Sequence, residues 1–163
     1  MRYMLINAIF SILPPTRFFE FKRLLLGWLG VMIGEGTKVC GAVKFYGGGK
    51  VIIGNNCWIG IGSKFFTSHD ANIVIGNRCD IAPEVLFHCG SHEIGDVERR
   101  AGSGKSIGIH IHDGNWIGVR SVVLGGCELG AGSIVGANSL LIGQKYQGSK
   151  LIVGSPGRST RDL

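Results

Sequence analysis

The sequence predicts an all-β fold in which short parallel strands wind into a triangular prism, a parallel β-helix of hexapeptide repeats. Aliphatic or aromatic residues recur every six positions from Ile33 onward, a glycine often follows them, and a small residue often lies four positions after them. The most regular run of the recurring apolar residues is Ile111, Ile117, Val123, Leu129, Val135 and Leu141.

The six-residue period defines the predicted shape. It matches neither the period of about 3.6 residues in a helix nor the two-residue alternation of a strand. A short strand and a tight turn, repeated three times per coil, would place the aliphatic residue inside the prism, and stacked coils would bury a continuous apolar ladder. We expect the 28 glycines to supply turn conformations that residues with a Cβ resist.

The chain divides into an N-terminal helical segment, residues 1–32, and a β-helix domain, residues 33–163. Thr16 is expected to cap a helix over residues 16–30. The apolar residues of this helix recur at helical spacing: Phe18, Phe21, Leu24, Leu25 and Trp28.

Two roles remain open for the N-terminal segment. Residues 1–15 begin with one basic residue and a short apolar run, with no cleavage site of a signal peptide after it. A membrane span would need about 20 apolar residues. The segment and the helix can cover the open end of the prism, or they can lie weakly on a membrane with Arg17, Lys22 and Arg23 toward anionic headgroups.

Two stretches interrupt the repeat. Residues 66–72 read FTSHDAN, and residues 92–106 read HEIGDVERRAGSGKS. In a solenoid, insertions become loops that leave the prism and commonly carry function. The sequence therefore predicts an excursion loop over residues 92–106.

Composition limits the function classes. The net charge of +6 and the pI near 9.3 favour anionic ligands or surfaces, but no motif for nucleic-acid binding is present. The five cysteines form no CxxC pair, which argues against a zinc ribbon or a disulfide framework and fits a reducing cytoplasm. Cys57, Cys79 and Cys127 share one phase of the repeat and are expected inside the prism.

Three local motifs add chemistry to the repeat. They are IGNRCDIAPEVLFHCGSH at residues 75–92, GNWIG at residues 114–118 and VGSPGR at residues 153–158. Together with the hexads they resemble the hexapeptide-repeat acyltransferases, in particular the galactoside and maltose O-acetyltransferases. The resemblance covers the chain from Ile33 to the end, and it alone implies a left-handed helix, because most β-crossovers are right-handed. The string SHEIGDVERRAG also resembles acetyltransferases that modify polysaccharides.

The resemblance implies an acetyl-CoA-dependent O-acetyltransferase in the cytoplasm, or peripheral at the inner membrane face, with a sugar or saccharide precursor as acceptor. It implies a homotrimer with sites between subunits, no metal, and His92 as the catalytic base. An imidazole can accept a hydroxyl proton near neutral pH. The implied donor residues are Trp116, Gly118, Gly136, Ala137, Arg158 and Arg161, and the implied acceptor residues are Asp70 and Arg99.

Other functions remain open at this stage. Within the enzyme class, the alternative is a xenobiotic acetyltransferase that modifies antibiotics. A γ-class carbonic anhydrase shares the implied fold, but the pairs His88/His92 and His110/His112 do not reproduce its zinc-binding histidine pattern, and His69, His88, His110 and His112 have no assigned role. A non-catalytic scaffold would not need His92 or the terminal arginines. The sequence does not name the acceptor, nor whether the acyl group is always acetyl.

Overall fold

The computed structural model describes residues 2–163, with side chains from Tyr3 onward, and within that range the chain winds into six coils. Face 1 of the prism holds β1 (Met32–Ile33), β4 (Val51–Ile53), β7 (Ile73–Ile75), β12 (Ile109–Ile111), β15 (Glu128–Leu129) and β18 (Lys145–Tyr146). Face 2 holds β2 (Lys38–Val39), β5 (Trp58–Ile59), β8 (Asp80–Ile81), β13 (Trp116–Ile117), β16 (Ile134–Val135), β19 (Lys150–Val153) and β20 (Arg158–Asp162). Face 3 holds β3 (Lys44–Tyr46), β6 (Lys64–Phe66), β9 (Leu86–His88), β14 (Val122–Leu124) and β17 (Leu140–Leu141).

Strands of successive coils pair in parallel, and two antiparallel pairs complete the β structure. Strand β20 folds back on β19. Between the third and fourth coils, β10 (Gly90–Ile94) and β11 (Ala101–Ser106) form a hairpin outside the prism. Two helices, α1 (Arg2–Ile12) and α2 (Phe19–Trp28), precede the first coil. The predicted left-handed parallel β-helix of hexapeptide repeats is therefore confirmed.

The core consists of in-register ladders that run along the prism. Phe45, Phe65 and Phe87 are paired across face 3, and all three are completely buried. Their rings stack with centroids 5.2 and 5.0 Å apart. Val123 and Leu141 continue the same ladder. Burying each of these side chains stabilises the fold by about 1.5–3 kcal/mol, which explains why the six-residue period is kept so strictly.

The glycines that follow the core residues serve close packing rather than turn conformation. A Cβ on Gly60 would lie 2.5 Å from the backbone of residues 82 and 83, and one on Gly118 would lie 2.6 Å from the nitrogen of Ala137. The expected turn conformations occur two positions later, where Gly36, Gly62 and Gly132 have positive φ. The glycines that directly follow the core residues have a different reason, because the next coil leaves no room for a Cβ there.

Cys57, Cys79 and Cys127 occupy the interior, as predicted, and so do Cys40 and Cys89. All five are free and buried, and Cys57 and Cys79 lie in adjacent coils, with the Cys79 N–H 3.4 Å from the Cys57 sulfur. Burial raises the pKa of the Cys89 thiol to about 11 and that of Cys127 to about 12. These two thiols remain protonated and unreactive at neutral pH.

The two helices cover the first coil. In α1, Tyr3, Ile6 and Phe10 are buried against the core. The Asn7 amide side chain donates to the carbonyl of Phe45 at 2.9 Å and accepts from its N–H at 2.9 Å, so it replaces the missing neighbour of β3. This contact satisfies the open strand edge, which supports the capping role for the N-terminal segment. Met1, the first residue of that segment, lies outside the described residues.

Helix α2 packs on the prism through Lys22, Leu25 and Leu26, whereas most apolar residues of the predicted side are exposed. Thr16 does not cap it, because the helix begins only at Phe19 and follows Phe18 in the left-handed conformation, with no side-chain cap. Lys22 is completely buried, and its ammonium donates to the carbonyls of Pro14 and Pro15 at 2.7 and 3.0 Å. The expectation that Lys22 faces solvent or headgroups is therefore wrong. Desolvation lowers the pKa of this buried ammonium.

Candidate active site

His92 lies on the hairpin that leaves the prism after β9. It stands opposite Gly104 in the β10–β11 pairing, and its side chain is exposed. The His92 Nδ1 atom lies 3.0 Å from the carbonyl oxygen of Gly102. Since a carbonyl can only accept, a hydrogen bond here requires Nδ1 to carry the proton. The neutral ring then presents its Nε2 lone pair to the outside, as a general base must.

The predicted excursion loop is an ordered β-hairpin rather than an irregular loop. Cross-strand contacts stabilise it, including a Lys105–Glu93 ion pair with the Lys105 Nζ atom 3.0 Å from Glu93 Oε1. At its tip, an Asp96 carboxylate oxygen accepts from the N–H groups of Glu98 and Arg99, each at 3.0 Å. This turn leaves the Arg99 side chain exposed. The sequence did not predict this strand pairing, because the segment is polar and rich in glycine and lacks the apolar alternation of a strand.

Asp70 lies at the same corner of the prism as the hairpin. It belongs to the turn between β6 and β7, where face 3 meets face 1, one coil before the hairpin leaves. Asp70, Asn72 and His110 line an open cavity of about 290 Å³ beside the strand that follows the hairpin. A second cavity of about 350 Å³ lies at the hairpin base and includes Ser91 and Lys105. The second hollow adjoins the strand that carries His92, because Gly90 and Ser91 line it.

Four of the implied donor residues meet at a different corner. Trp116 and Gly118 lie at the end of β13, where face 2 meets face 3, and Gly136 and Ala137 lie one coil further on, at the end of β16. The Trp116 ring is exposed. A Cβ on Gly136 would meet the Val153 side chain of the following coil at 2.7 Å. The structure thus places these four predicted residues together at one corner, in two adjacent coils, and we call this corner the stacked edge.

The two arginines lie on the terminal strand. Arg158 pairs with Val153, which places it beside the corner occupied by Gly136, whereas Arg161 pairs with Leu151 toward the far end of face 2. Both side chains are exposed. The structure thus aligns Arg158 with the stacked edge and places Arg161 further from it.

The remaining histidines have ordinary structural environments. His88 lies within the third coil, with Nδ1 2.9 Å from the Gly90 carbonyl. His112 is exposed, with Nε2 3.5 Å from a Glu128 carboxylate oxygen. His110 is also exposed. Among residues 2–163, no group of three or more His, Cys, Asp or Glu side chains is arranged to hold a metal ion.

The contact from Gly102 to His92 could not be found in the sequence. It is made by a backbone carbonyl, so no residue type signals it. It also depends on the hairpin register, which shifts between His92 and Ile94. His92 pairs with Gly104 instead of a bulky residue, which leaves room around the imidazole ring. The sequence contains this glycine but does not show that it pairs with His92.

Comparison with known proteins agrees with this architecture. The family described as bacterial transferase hexapeptide (six repeats) matches residues 108–143. The chain is 32% identical over 108 residues to an inferred acetyltransferase of Schizosaccharomyces pombe, covering 63% of this chain and 52% of that protein. It is 26% identical to the galactoside O-acetyltransferase of Escherichia coli, covering 88% of this chain and 70% of that protein.

A solved structure adds similarity in three dimensions. The polySia-specific acetyltransferase NeuO superposes with a TM-score of 0.68 and 27% identity, covering 81% of this chain and 61% of that one. The resemblance to the hexapeptide-repeat acyltransferases is therefore confirmed. The chain spans about half the length of the Schizosaccharomyces pombe relative.

Proposed function

We propose that this protein is an O-acetyltransferase that moves an acetyl group from acetyl-CoA to a sugar hydroxyl. The observation that carries the proposal is His92, exposed on a rigid hairpin with Nδ1 held by the Gly102 carbonyl. That contact keeps Nε2 free as the proton acceptor. The similar galactoside O-acetyltransferase and polySia-specific acetyltransferase support a saccharide acceptor by their names.

The reaction needs one base and a positioned thioester. As the His92 Nε2 atom removes the hydroxyl proton, the sugar oxygen attacks the acetyl carbonyl carbon. The tetrahedral intermediate collapses by breaking the carbon–sulfur bond, and the CoA thiolate takes the proton from the imidazolium. Backbone N–H groups are the expected stabilisers of the oxyanion.

The stacked edge is the proposed groove for the donor. This edge presents the Trp116 ring beside a narrow strip of backbone, which suits the thin pantetheine arm of acetyl-CoA. The strip is formed by Gly118, Gly136 and Ala137. Arg158 continues the line of this edge, and a guanidinium suits the CoA phosphates through its charge and forked donors. Arg161 is a second, more distant phosphate partner in this proposal.

The site is proposed to form between subunits of a homotrimer. The hairpin leaves where face 3 meets face 1, whereas the stacked edge lies where face 2 meets face 3. The three residues of a face 3 strand alone span about 10 Å at roughly 3.3 Å per residue. Reacting groups must approach to about 3–3.5 Å. A neighbouring copy that brings its stacked edge to this hairpin would meet that requirement.

The acceptor is proposed to bind at the corner that Asp70 shares with the hairpin. The exposed Asp70 carboxylate can accept hydrogen bonds from sugar hydroxyls, and Arg99 at the hairpin tip can contact an anionic acceptor. A precursor of a surface polysaccharide, present in the cytoplasm, carries both sugar hydroxyls and a negative charge. This is the acceptor class that we favour over an antibiotic.

A thiol-release assay tests the function. Purified protein is incubated with acetyl-CoA and a panel of sugars, nucleotide sugars and antibiotics, and free CoA is measured. The buried cysteines contribute little background. We expect release with at least one saccharide, and a loss of about 10²–10⁴-fold in turnover in His92→Ala.

His112→Ala serves as the matched control, because this exposed histidine lies on face 1 outside the proposed site. It should keep near-normal turnover. Equal turnover in His92→Ala and the wild type would remove His92 from its proposed role, and release with antibiotics alone would replace the proposed acceptor class.

A further inference from the structure

The side of α1 that faces away from the prism is apolar. Tyr3, Ile6 and Phe10 face the first coil, whereas Met4 and Ile12 on the opposite side are 78% and 86% exposed. A helix that is apolar all round is typical of one covered on both sides. The outer side of α1 therefore needs an apolar neighbour that the described chain does not supply.

Helix α2 repeats this arrangement more strongly. Its outward residues Phe21 and Leu24 are more than half exposed, and Trp28 is 83% exposed, while Lys22 is buried on the inner side. Leu26 is also buried on the inner side, so α2 presents apolar residues both toward the prism and toward solvent. Because both helices pack on strands of the first coil, their outer sides lie at the same end of the prism.

The charge of the protein is concentrated at this end. Residues 1–50 contain seven of the 17 basic residues and two of the 11 acidic ones, which gives this region five of the six net positive charges. Of these basic residues, Lys22 is buried and Arg23 pairs with Glu20, whereas Arg17, Lys38 and Lys50 are exposed. An apolar surface surrounded by basic side chains complements an anionic lipid surface, since the apolar residues enter the acyl boundary while the cations meet the headgroups.

We infer that this end of the protein docks on an anionic membrane. The docking face is defined by the exposed apolar residues Met4, Leu5, Ile12, Phe18, Phe21, Leu24 and Trp28. Attachment is interfacial, since no helix in the described range is long and apolar enough to cross a bilayer. The inference is independent of the proposed activity, because the docking face shares no residue with the hairpin or the stacked edge. The capping and docking roles belong to opposite sides of the same two helices.

Vesicle co-sedimentation tests the inference. The full-length protein is mixed at low salt with vesicles of phosphatidylglycerol and phosphatidylcholine, or of phosphatidylcholine alone. We expect binding to the anionic vesicles that weakens with added salt. The variant Phe21→Ser/Leu24→Ser/Trp28→Ser should bind at least about tenfold more weakly, because it removes three membrane-inserting side chains.

Ile142→Ser is the matched control, since Ile142 is an exposed apolar residue between β17 and β18, at the other end of the prism. It should bind like the wild type, and circular dichroism should show that both variants are folded. Equal binding by the triple-serine variant, or no binding of the wild type to anionic vesicles, would overturn the inference. Vesicle-free association of the wild type into larger particles, absent in the triple-serine variant, would instead assign the face to a second protein copy.

Discussion

The repeated glycines lie where one coil approaches the next. Their larger loss of conformational entropy on folding is offset by the close packing that the absence of a Cβ permits. Gly60 has backbone atoms of residues 82 and 83 within 2.5 Å of the position of a Cβ. Gly27, in α2, has no atom within 4 Å of that position. The same residue type therefore has opposite effects on stability at the two positions.

We expect Gly60→Ala to lower the free energy of unfolding by about 1–3 kcal/mol, because the methyl group forces two coils apart. Gly27→Ala should raise it by about 0.5–1 kcal/mol, because alanine favours the helix and nothing obstructs the methyl group. Thermal unfolding of the two variants beside the wild type checks this. Equal shifts in the same direction would contradict the packing explanation.

Residue identity alone singled out His92 as the proposed base but did not show which side of α2 packs on the prism. His92 was proposed because it ends a recognisable motif next to an interruption of the repeat. Lys22 was misplaced because the apolar residues of α2 outnumber what the first coil can bury. The two proline carbonyls that bind its ammonium come from the preceding turn, and no periodicity reports such a contact.

Among the secondary-structure elements, β20 has the most direct consequence for the proposed donor site. It folds back on β19, so its first residues lie near the stacked edge and its last residues lie away from it. A hexapeptide pattern predicts coils but not this reversal, since β20 has no core residue of its own: all five of its residues are exposed.

Arg158→Ala should raise the KM for acetyl-CoA more than it lowers kcat, because phosphates remote from the reacting carbonyl contribute binding common to ground and transition states. Arg161→Ala should do the same with a smaller effect, given its distance from the edge. Both effects should shrink at high salt. Steady-state kinetics with varied acetyl-CoA measure them, and a loss confined to kcat would exclude a phosphate role for these arginines.

At the scale of the whole molecule, the proposed site needs two copies of the chain. The resemblance implied a site between subunits, but the motifs alone did not place the hairpin and the stacked edge at different corners, because that depends on the number of residues between them. One coil takes 18 residues between Val122 and Leu140, whereas the interval from Leu86 to Val122 is twice as long and includes the hairpin. Assembly itself has no local signature in the sequence.

Mixed trimers test the shared site. His92→Ala removes the base, and Ala137→Trp blocks the stacked edge, so each variant alone should be inactive. Refolding the two together in equal amounts should restore about one quarter of wild-type activity, because random cyclic assembly pairs an intact hairpin with an intact edge in that fraction of sites. No recovery in verified mixed trimers would place the complete site within one subunit.

The hairpin enters and leaves the prism without disturbing the coils on either side. Phe87, Val123 and Leu141 stay in register across it, and β9 pairs with β14 as regularly as β14 pairs with β17. The scaffold therefore tolerates exchange of this segment as a cassette, since its two ends are fixed by the same strand pairing whatever lies between them. Exchanging this insertion while the prism and the proposed donor edge stay unchanged would offer a route to chimeric proteins.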